Sequence, residues 1–337
     1  MVALAFAGAG FVTAIHGLAA EALPDLRVVH VASRTTRSAQ RRSAQTGGIP
    51  CGYDELPGDA DVVVVATPPA LHRREAERAV GGSAVALVEA PLAATLEDAD
   101  QLVAAAGDGR VGYAENLVHS PTVAAAVRAW RRLGGLTHLE VRFAQGRPEW
   151  GDHLQPSWGG GALFDLGVHA ITLALLAAAP ARVTAVEAQL LSAAGLEVDD
   201  DATVTLSFDT GLRAEVRATW RAPAPTWEAQ AASPKGAARL ELVPHPSVEL
   251  NGAPVSLPRV PLGLASPQLH HLGYVAQLEA LTADVDAGRA PTPGPQLGRH
   301  LLDIVCAAYA SAGIGRELPV PFTGRRDRTP HQLWREP

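Results

Sequence analysis

The first part of the chain alternates short, wholly apolar runs with longer mixed stretches. Residues Val2–Ala7 contain no polar side chain, the signature of a strand buried on both faces of a parallel sheet. Arg27–Ala32, Asp61–Ala66 and Ala84–Val88 read as further strands, and helical stretches separate them to about Asn116. This alternation predicts a doubly wound parallel sheet. From Leu136 onward the pattern changes. Thr137–Phe143, Arg182–Leu191, Ala202–Phe208 and Arg213–Trp220 alternate polar and apolar residues, and Asp209-Thr210-Gly211 supplies a hairpin turn between the last two. A largely antiparallel open sheet with one exposed face is expected there. Residues 273–288 and 295–313 read as helices interrupted over Pro291–Pro295. The expected class is therefore α/β plus α+β.

The first strand runs into Gly8-Ala9-Gly10-Phe11-Val12-Thr13 and then a helix. Gly8 permits a tight turn, and Gly10 lets a pyrophosphate approach the helix N-terminus, whose N–H groups and dipole favour anions. Thr13 stands where the usual fingerprint has its third glycine, a position that governs helix–strand packing rather than phosphate contact. The fingerprint gains weight from lying between a strand and a helix. After the second strand the chain reads Ser33-Arg34-Thr35-Thr36-Arg37, without the acid that holds a ribose 2′-hydroxyl. A small hydroxyl followed by arginines suits a 2′-phosphate, which favours NADP(H) over NAD(H). The plainer reading is a solvated basic helix start, which also covers Arg41 and Arg42.

Residues 158–169 read Trp-Gly-Gly-Gly-Ala-Leu-Phe-Asp-Leu-Gly-Val-His. Three glycines allow the backbone to pass close to a ligand. Asp165 and His169, at i and i+4, share one helix face, a carboxylate beside an imidazole suited to moving a proton. The plainer reading is a glycine cap and two solvated polar residues.

The order of these pieces resembles the Gfo/Idh/MocA family of NAD(P)-dependent oxidoreductases. The matching residues are Gly8-Ala9-Gly10 with His16, Ala66-Thr67-Pro68-Pro69 with His72, Glu89-Ala90-Pro91, Ala114-Glu115-Asn116 with Ser120-Pro121, and Gly159-Gly160-Gly161 with Asp165 and His169. The helix from Gly273-Tyr274 and the stretch Ala307–Ala312 also match. The resemblance implies a Rossmann dinucleotide-binding domain over residues 1–118, a substrate-binding and oligomerisation domain over 119–322, and a tail over 323–337, with the C-terminal helix packing back on the first domain. It implies hydride transfer at a carbinol carbon of a sugar, nucleotide sugar or cyclitol-like substrate. It places Gly8, Gly10, Phe11, Val12, Ser33, Arg34, Arg37, Thr67, Pro68, His72, Glu89 and Asn116 on the cofactor, and Tyr113, His153 and Trp158 on the substrate. His169 and Asp165 take the proton chemistry. His72 equally suits a helix N-terminal residue bound to backbone, and Trp158 equally suits packing in a lid.

One departure matters. The family's Glu-Lys-Pro places a lysine where this chain has Ala90, and alanine supplies neither the charge nor the proton that a developing alkoxide needs. Lys235, in a Ser-Pro-Lys-Gly turn, is the only lysine in the chain. Three origins stay open: an engineered Lys-to-Ala change, divergence with His169, Asp165 or Tyr113 moving the proton, and a retired enzyme that senses NADP(H) or a sugar. A redox-neutral lyase or epimerase using the cofactor transiently is a further class.

Composition narrows the remaining possibilities. A length of 337 residues accommodates two cores, and a formal charge of −7 argues against nucleic-acid binding. Cys51 and Cys306 are too few for a disulfide framework and suit a reducing cytoplasm. The apolar start lacks a basic leader, and no uninterrupted apolar run reaches membrane-spanning length. His270-His271 has no acid or cysteine at ligand spacing, so no metal is expected. No nucleophile elbow or Cys–His pair points to a hydrolase. The exposed sheet face predicts a homodimer or homotetramer.

Overall fold

A computed structural model describes residues 1–336, which divide into two compact units. One comprises Met1–Asn116 with Val260–Arg299, and the other Leu117–Arg259 with the chain from His300 on.

In the first unit, β1 (Val2–Ala7), β2 (Leu26–Ala32), β3 (Ile49–Cys51), β4 (Val62–Val65), β5 (Val85–Glu89) and β6 (Val111–Ala114) form a six-stranded sheet of order β3-β2-β1-β4-β5-β6. Every neighbouring pair is parallel. The four valines of β4 are all buried, as the apolar run predicts. Helices α1 (Phe11–Ala20), α2 (Thr36–Thr46), α3 (Pro69–Gly81) and α4 (Leu96–Ala105) connect the strands. Strand order reverses between β1 and β4, the point at which such sheets bind dinucleotides. The sequence pattern missed β3, a three-residue edge strand with Pro50 at its centre.

The chain returns to this unit with α7 (Pro267–His271) and α8 (Tyr274–Asp286). Leu269, Val275, Leu278 and Leu281 enter the same core cluster as Val2, Leu4, Phe6 and Ala19. The single cut at 118/119 is thereby corrected. Residues 260–299 sit with the first unit because the apolar stripe of α8 is buried against β1 and α1.

The second unit contains α5 (Pro121–Leu133), α6 (Val168–Ala178) and a nine-stranded sheet. Its strands are β7 (His138–Gly146), β8 (Val183–Leu191), β9 (Asp201–Phe208), β10 (Arg213–Thr219), β11 (Arg221–Ser233), β12 (Gly236–Val243), β13 (Ser247–Leu250), β14 (Ala253–Pro254) and β15 (Leu318–Pro319). The order is β14-β13-β12-β11-β7-β10-β9-β8-β15, and only the β7–β10 pair is parallel. α5 and α6 pack on one face. The other leaves Glu187, Gln189, Arg213, Glu215 and Arg217 exposed, so the alternation maps directly onto burial. Pro223 and Pro225 interrupt that alternation at the start of β11, where the register with β7 shifts.

α9 (Pro295–Ile314) belongs to both units in sequence. The region expected to be a tail folds instead as α10 (Pro330–Arg335), started by a capping box between Thr329 and Gln332. Its His331 N–H donates to Gly159 O at 2.7 Å, which fixes it to the glycine run; Pro337, the tail's last residue, lies outside the described residues. Pro156–Ala178 is long and apolar enough to cross a membrane by length and composition alone, yet 67% of that apolar window is buried, as in a core helix.

Candidate functional site

The turn after β1 separates two uses of glycine. Gly8 has φ +129°, and a Cβ there would lie 2.2 Å from Ala66 O, so the fold itself demands glycine. A Cβ on Gly10 would meet nothing within 4 Å. The protein does not need that space, but an anion approaching the N-terminus of α1 does. No side chain caps α1 and its first turn carries no acid, which leaves the positive end of its dipole uncompensated. Phe11 is exposed and Val12 half-buried beside it. Thr13 is fully buried, and its hydroxyl donates to Gly8 O at 3.0 Å, a tie that glycine would not provide. These residues fit a dinucleotide pyrophosphate.

Ser33 is half-buried, whereas Arg34 and Arg37 are exposed, and neither arginine forms an ion pair among the described residues. Arg42 departs from the solvated reading. It is 9% exposed, and its guanidinium donates to Ala9 O and Gly10 O.

Thr67 is buried with its hydroxyl unpartnered among the described residues, and Pro68 is exposed at the start of α3. His72 is buried with Nε2 2.7 Å from Thr67 O and Nδ1 3.3 Å from Leu92 O. It ties the loop after β4 to the loop after β5, the backbone-binding role left open above. Burial lowers its pKa, which keeps the ring neutral. Glu89 ends β5 and pairs with the buried His16. Its second oxygen accepts the N–H of Ala90 at 3.3 Å. His16 packs edge-on against Tyr274 at 5.6 Å, and Asn116 Nδ2 donates to Leu272 O at 2.8 Å. The first contact joins α1 to the start of α8, and the second joins the chain just after β6 to the turn between α7 and α8. Tyr113 is 1% exposed, and its hydroxyl has no hydrogen-bond partner among the described residues. Burial above all, with Glu115 and Glu89, raises its pKa well above the tyrosine range. Such a hydroxyl is poorly placed to exchange a proton with a substrate.

In the second unit the helix begins with a π-helical turn, Leu163–Gly167, before α6. Such turns are frequent at functional sites. Asp165 lies in that turn, half-buried, and His169 follows in the first turn of α6. Trp220 Nε1 donates to Asp165 Oδ2 at 3.3 Å, and His153 Nε2 lies 3.8 Å from Asp165 Oδ1. The His153 ring packs against Trp158, tilted by 35°, with 4.0 Å between centroids. Trp158 therefore orients an imidazole instead of offering that face to a ligand. Burial raises the pKa of Asp165, and the charges of His153 and His169 and the Trp220 N–H oppose it. Burial lowers that of His153, against Asp165 and Asp152. Burial thus acts on the two groups in opposite directions, disfavouring the charged form of each.

The three glycines before this turn serve the fold and not a ligand. A Cβ on Gly159 would lie 2.9 Å from Phe164, on Gly160 2.6 Å from both Phe164 and the Tyr309 hydroxyl, and on Gly161 1.9 Å from Asp199 O. The space is filled by the protein's own atoms. Asp199, fully buried, caps this helix start by accepting the N–H groups of Gly161 and Leu163. Asp199 and Trp220 were missed in the sequence. The run Asp199-Asp200-Asp201, an acidic triplet entering an apolar strand, was the available signal.

The first unit thus has the order and phosphate turn of a dinucleotide-binding domain, and the second carries an acid–base cluster on an open sheet. Residues 2–115 match the model of the oxidoreductase family with an NAD-binding Rossmann fold, and residues 123–241 match the GFO/IDH/MocA C-terminal domain. The two matches together take in more than half of the chain, which belongs to this family. Among similar proteins, a dTDP-3,4-didehydro-2,6-dideoxy-alpha-D-glucose 3-reductase of Streptomyces antibioticus is 35% identical over 45% of this chain and 49% of its own length. A 1,5-anhydro-D-fructose reductase of Ensifer adhaerens is 36% identical over 41% of this chain and 46% of its own. The chain thus spans about half the length of the curated relatives it matches. A protein of gentamicin A biosynthesis, solved in complex with NAD, is 27% identical with a TM-score of 0.82, covering 95% of this chain and 96% of that one.

Proposed function

We propose that this chain is an NADP(H)-dependent oxidoreductase interconverting a carbinol and a carbonyl carbon of a sugar, nucleotide sugar or cyclitol-like substrate. The observation that carries this reading is the His153–Asp165–Trp220 cluster with His169 in electrostatic reach of the same carboxylate. Gly8, Gly10, Phe11 and Val12 would hold the pyrophosphate, Ser33, Arg34 and Arg37 the 2′-phosphate, and Thr67, Pro68, Glu89 and Asn116 the remaining half of the cofactor, with His72 holding the loops after β4 and β5 together beneath it. When bound, NADP(H) supplies or accepts the hydride. His169 exchanges the proton of the reacting oxygen, Asp165 sets its charge and orientation, and His153 on Trp158 hydrogen-bonds a neighbouring hydroxyl. Trp220 keeps the Asp165 carboxylate in place. Both curated relatives are named as sugar reductases, which supports the substrate class.

The test is single-turnover NADPH oxidation against a panel of keto-sugars and cyclitol ketones, with Asp165→Asn and His169→Ala as comparison. Turnover lost in both variants with NADPH affinity retained is the expected result. Tight NADPH binding without turnover of any substrate would favour a sensor, the reading that Ala90 makes the main competitor.

A further inference from the structure

We propose that Arg42 positions the phosphate-binding turn: from the carbonyl side its guanidinium fixes the direction of the peptides in the Gly8-Ala9-Gly10 turn and adds positive charge behind the N–H groups that receive the pyrophosphate. The inference rests on the cofactor reading above. Arg42 lies on the inward face of α2 with Ala39, Ser43 and Thr46, where packing alone asks for a small or apolar residue. Its Nη2 donates to Gly10 O at 2.7 Å, Nε and Nη2 reach Ala9 O at 3.4 Å, and Nη1 donates to Gln45 Oε1 at 2.5 Å.

Every one of these acceptors is neutral. Among the described residues no carboxylate pairs with Arg42, although a guanidinium stays protonated in proteins. A buried charge without a counter-charge is costly. The fold keeps one beside the turn that the Gly10 gap leaves open.

The hydrogen bonds have a directional consequence. In a trans peptide the C=O and the following N–H point in opposite directions. With the carbonyls of Ala9 and Gly10 drawn toward α2, the N–H groups of Gly10 and Phe11 point away from it. They are thus presented together at the start of α1, as an anion-binding turn requires. The guanidinium also polarises both peptides, which strengthens their donors.

The pyrophosphate is common to NADH and NADPH, so Arg42 acts on both alike, unlike Arg34 and Arg37. The test is calorimetric titration of Arg42→Met, Arg42→Lys and the exposed control Arg41→Met with NADH, NADPH and ADP-ribose at two salt concentrations, with melting temperatures alongside. Arg42→Met is expected to weaken all three ligands by about tenfold or more, 1.4 kcal/mol per factor of ten, and to flatten the salt dependence. Arg42→Lys should recover part of the loss, and Arg41→Met should stay near wild type. If the methionine variant does not fold, Arg42→Gln, which retains a donor without the charge, takes its place. Unchanged affinities, or a loss that tracks a lower melting temperature with salt dependence intact, overturn the proposal. A wild-type chain that binds none of the ligands overturns the cofactor reading itself.

Discussion

The hydroxyl of Tyr309 donates to Oδ1 of Asp199 across 2.5 Å, and that carboxylate also accepts the N–H groups of Gly161 and Leu163, each at 2.9 Å. The helix carrying Asp165 is thus capped by a side chain from a distant part of the sequence, and the glycines make room for the cap. Gly161→Ala, with its Cβ on the Asp199 backbone, should destabilise the fold by about 1–3 kcal/mol. Asp199→Asn should cost about the same, because one end of its amide turns a donor toward backbone donors. Urea unfolding checks both. Unchanged stability with lost substrate affinity would return the glycines to a ligand-binding role. The pH dependence has a definite sign. Burial raises the pKa of Asp199, so the folded state holds its proton to higher pH than the unfolded chain. The associated stability is complete below the ordinary carboxylate value of about 4 and falls as pH rises through the folded value. Asp199→Asn should lack that slope.

The Asp165 cluster gives a second test. His153 is the largest of the influences that lower the Asp165 pKa against burial, followed by His169 and the Trp220 N–H. Removing the imidazole in His153→Gln should therefore move the Asp165 carboxyl titration further up. Carboxyl-carbon NMR with an Asp165→Asn assignment control measures it. A downward or absent shift would show that the two side chains are not coupled in solution.

The parts of this design that were legible in the sequence are the local ones. An apolar run before Gly8 specifies a buried strand and a tight turn, and alternation along β8 to β10 specifies a one-sided sheet. Asp165 and His169 belong to one element through their spacing, although the π-helical turn was not encoded in any simple period. Arg42, Asp199 and Trp220 stayed hidden because their roles depend on partners far along the chain. Arg42 read as one more exposed basic residue of α2, and only its carbonyl partners, 32 and 33 residues earlier, set it apart. The glycine run misled for the same reason. Its spacing is the same whether a ligand or Phe164, Tyr309 and Asp199 fill the space.

The exposed Arg34 and Arg37, with Ser33 in place of an acid, are expected to give a preference for NADPH over NADH. Calorimetric titration of the two cofactors reads this directly. Equal affinities, or tighter NADH, would show that these arginines serve only the solvent.

The exposed face of the second sheet, with Glu187, Arg213, Glu215 and Arg217 alternating along β8 and β10, is offered as the self-association surface. Light scattering at micromolar concentration should give a dimer or tetramer mass. A monomer mass at that concentration removes the assignment.

The sharpest test concerns position 90. Ala90 is half-buried, its N–H held by Glu89, and Glu89 is in turn held by His16. Glu89, held in this way, is positioned to flank a side chain introduced at position 90. Ala90→Lys should raise single-turnover NADPH oxidation by about a hundredfold or more, the lower end of what a positioned acid contributes. The comparison sets the chain as given against Ala90→Lys and Ala90→Lys with His169→Ala, over one substrate panel. Gain with lysine and loss with the second change would show the lysine and the histidine acting in one reaction. Strong activity in the chain as given, abolished by His169→Ala and indifferent to lysine, would show instead that the histidine cluster moves the proton alone. In that case the Asp165 carboxylate, flanked by His153 and within electrostatic reach of His169, and not a missing ammonium, would be the feature on which the chemistry turns.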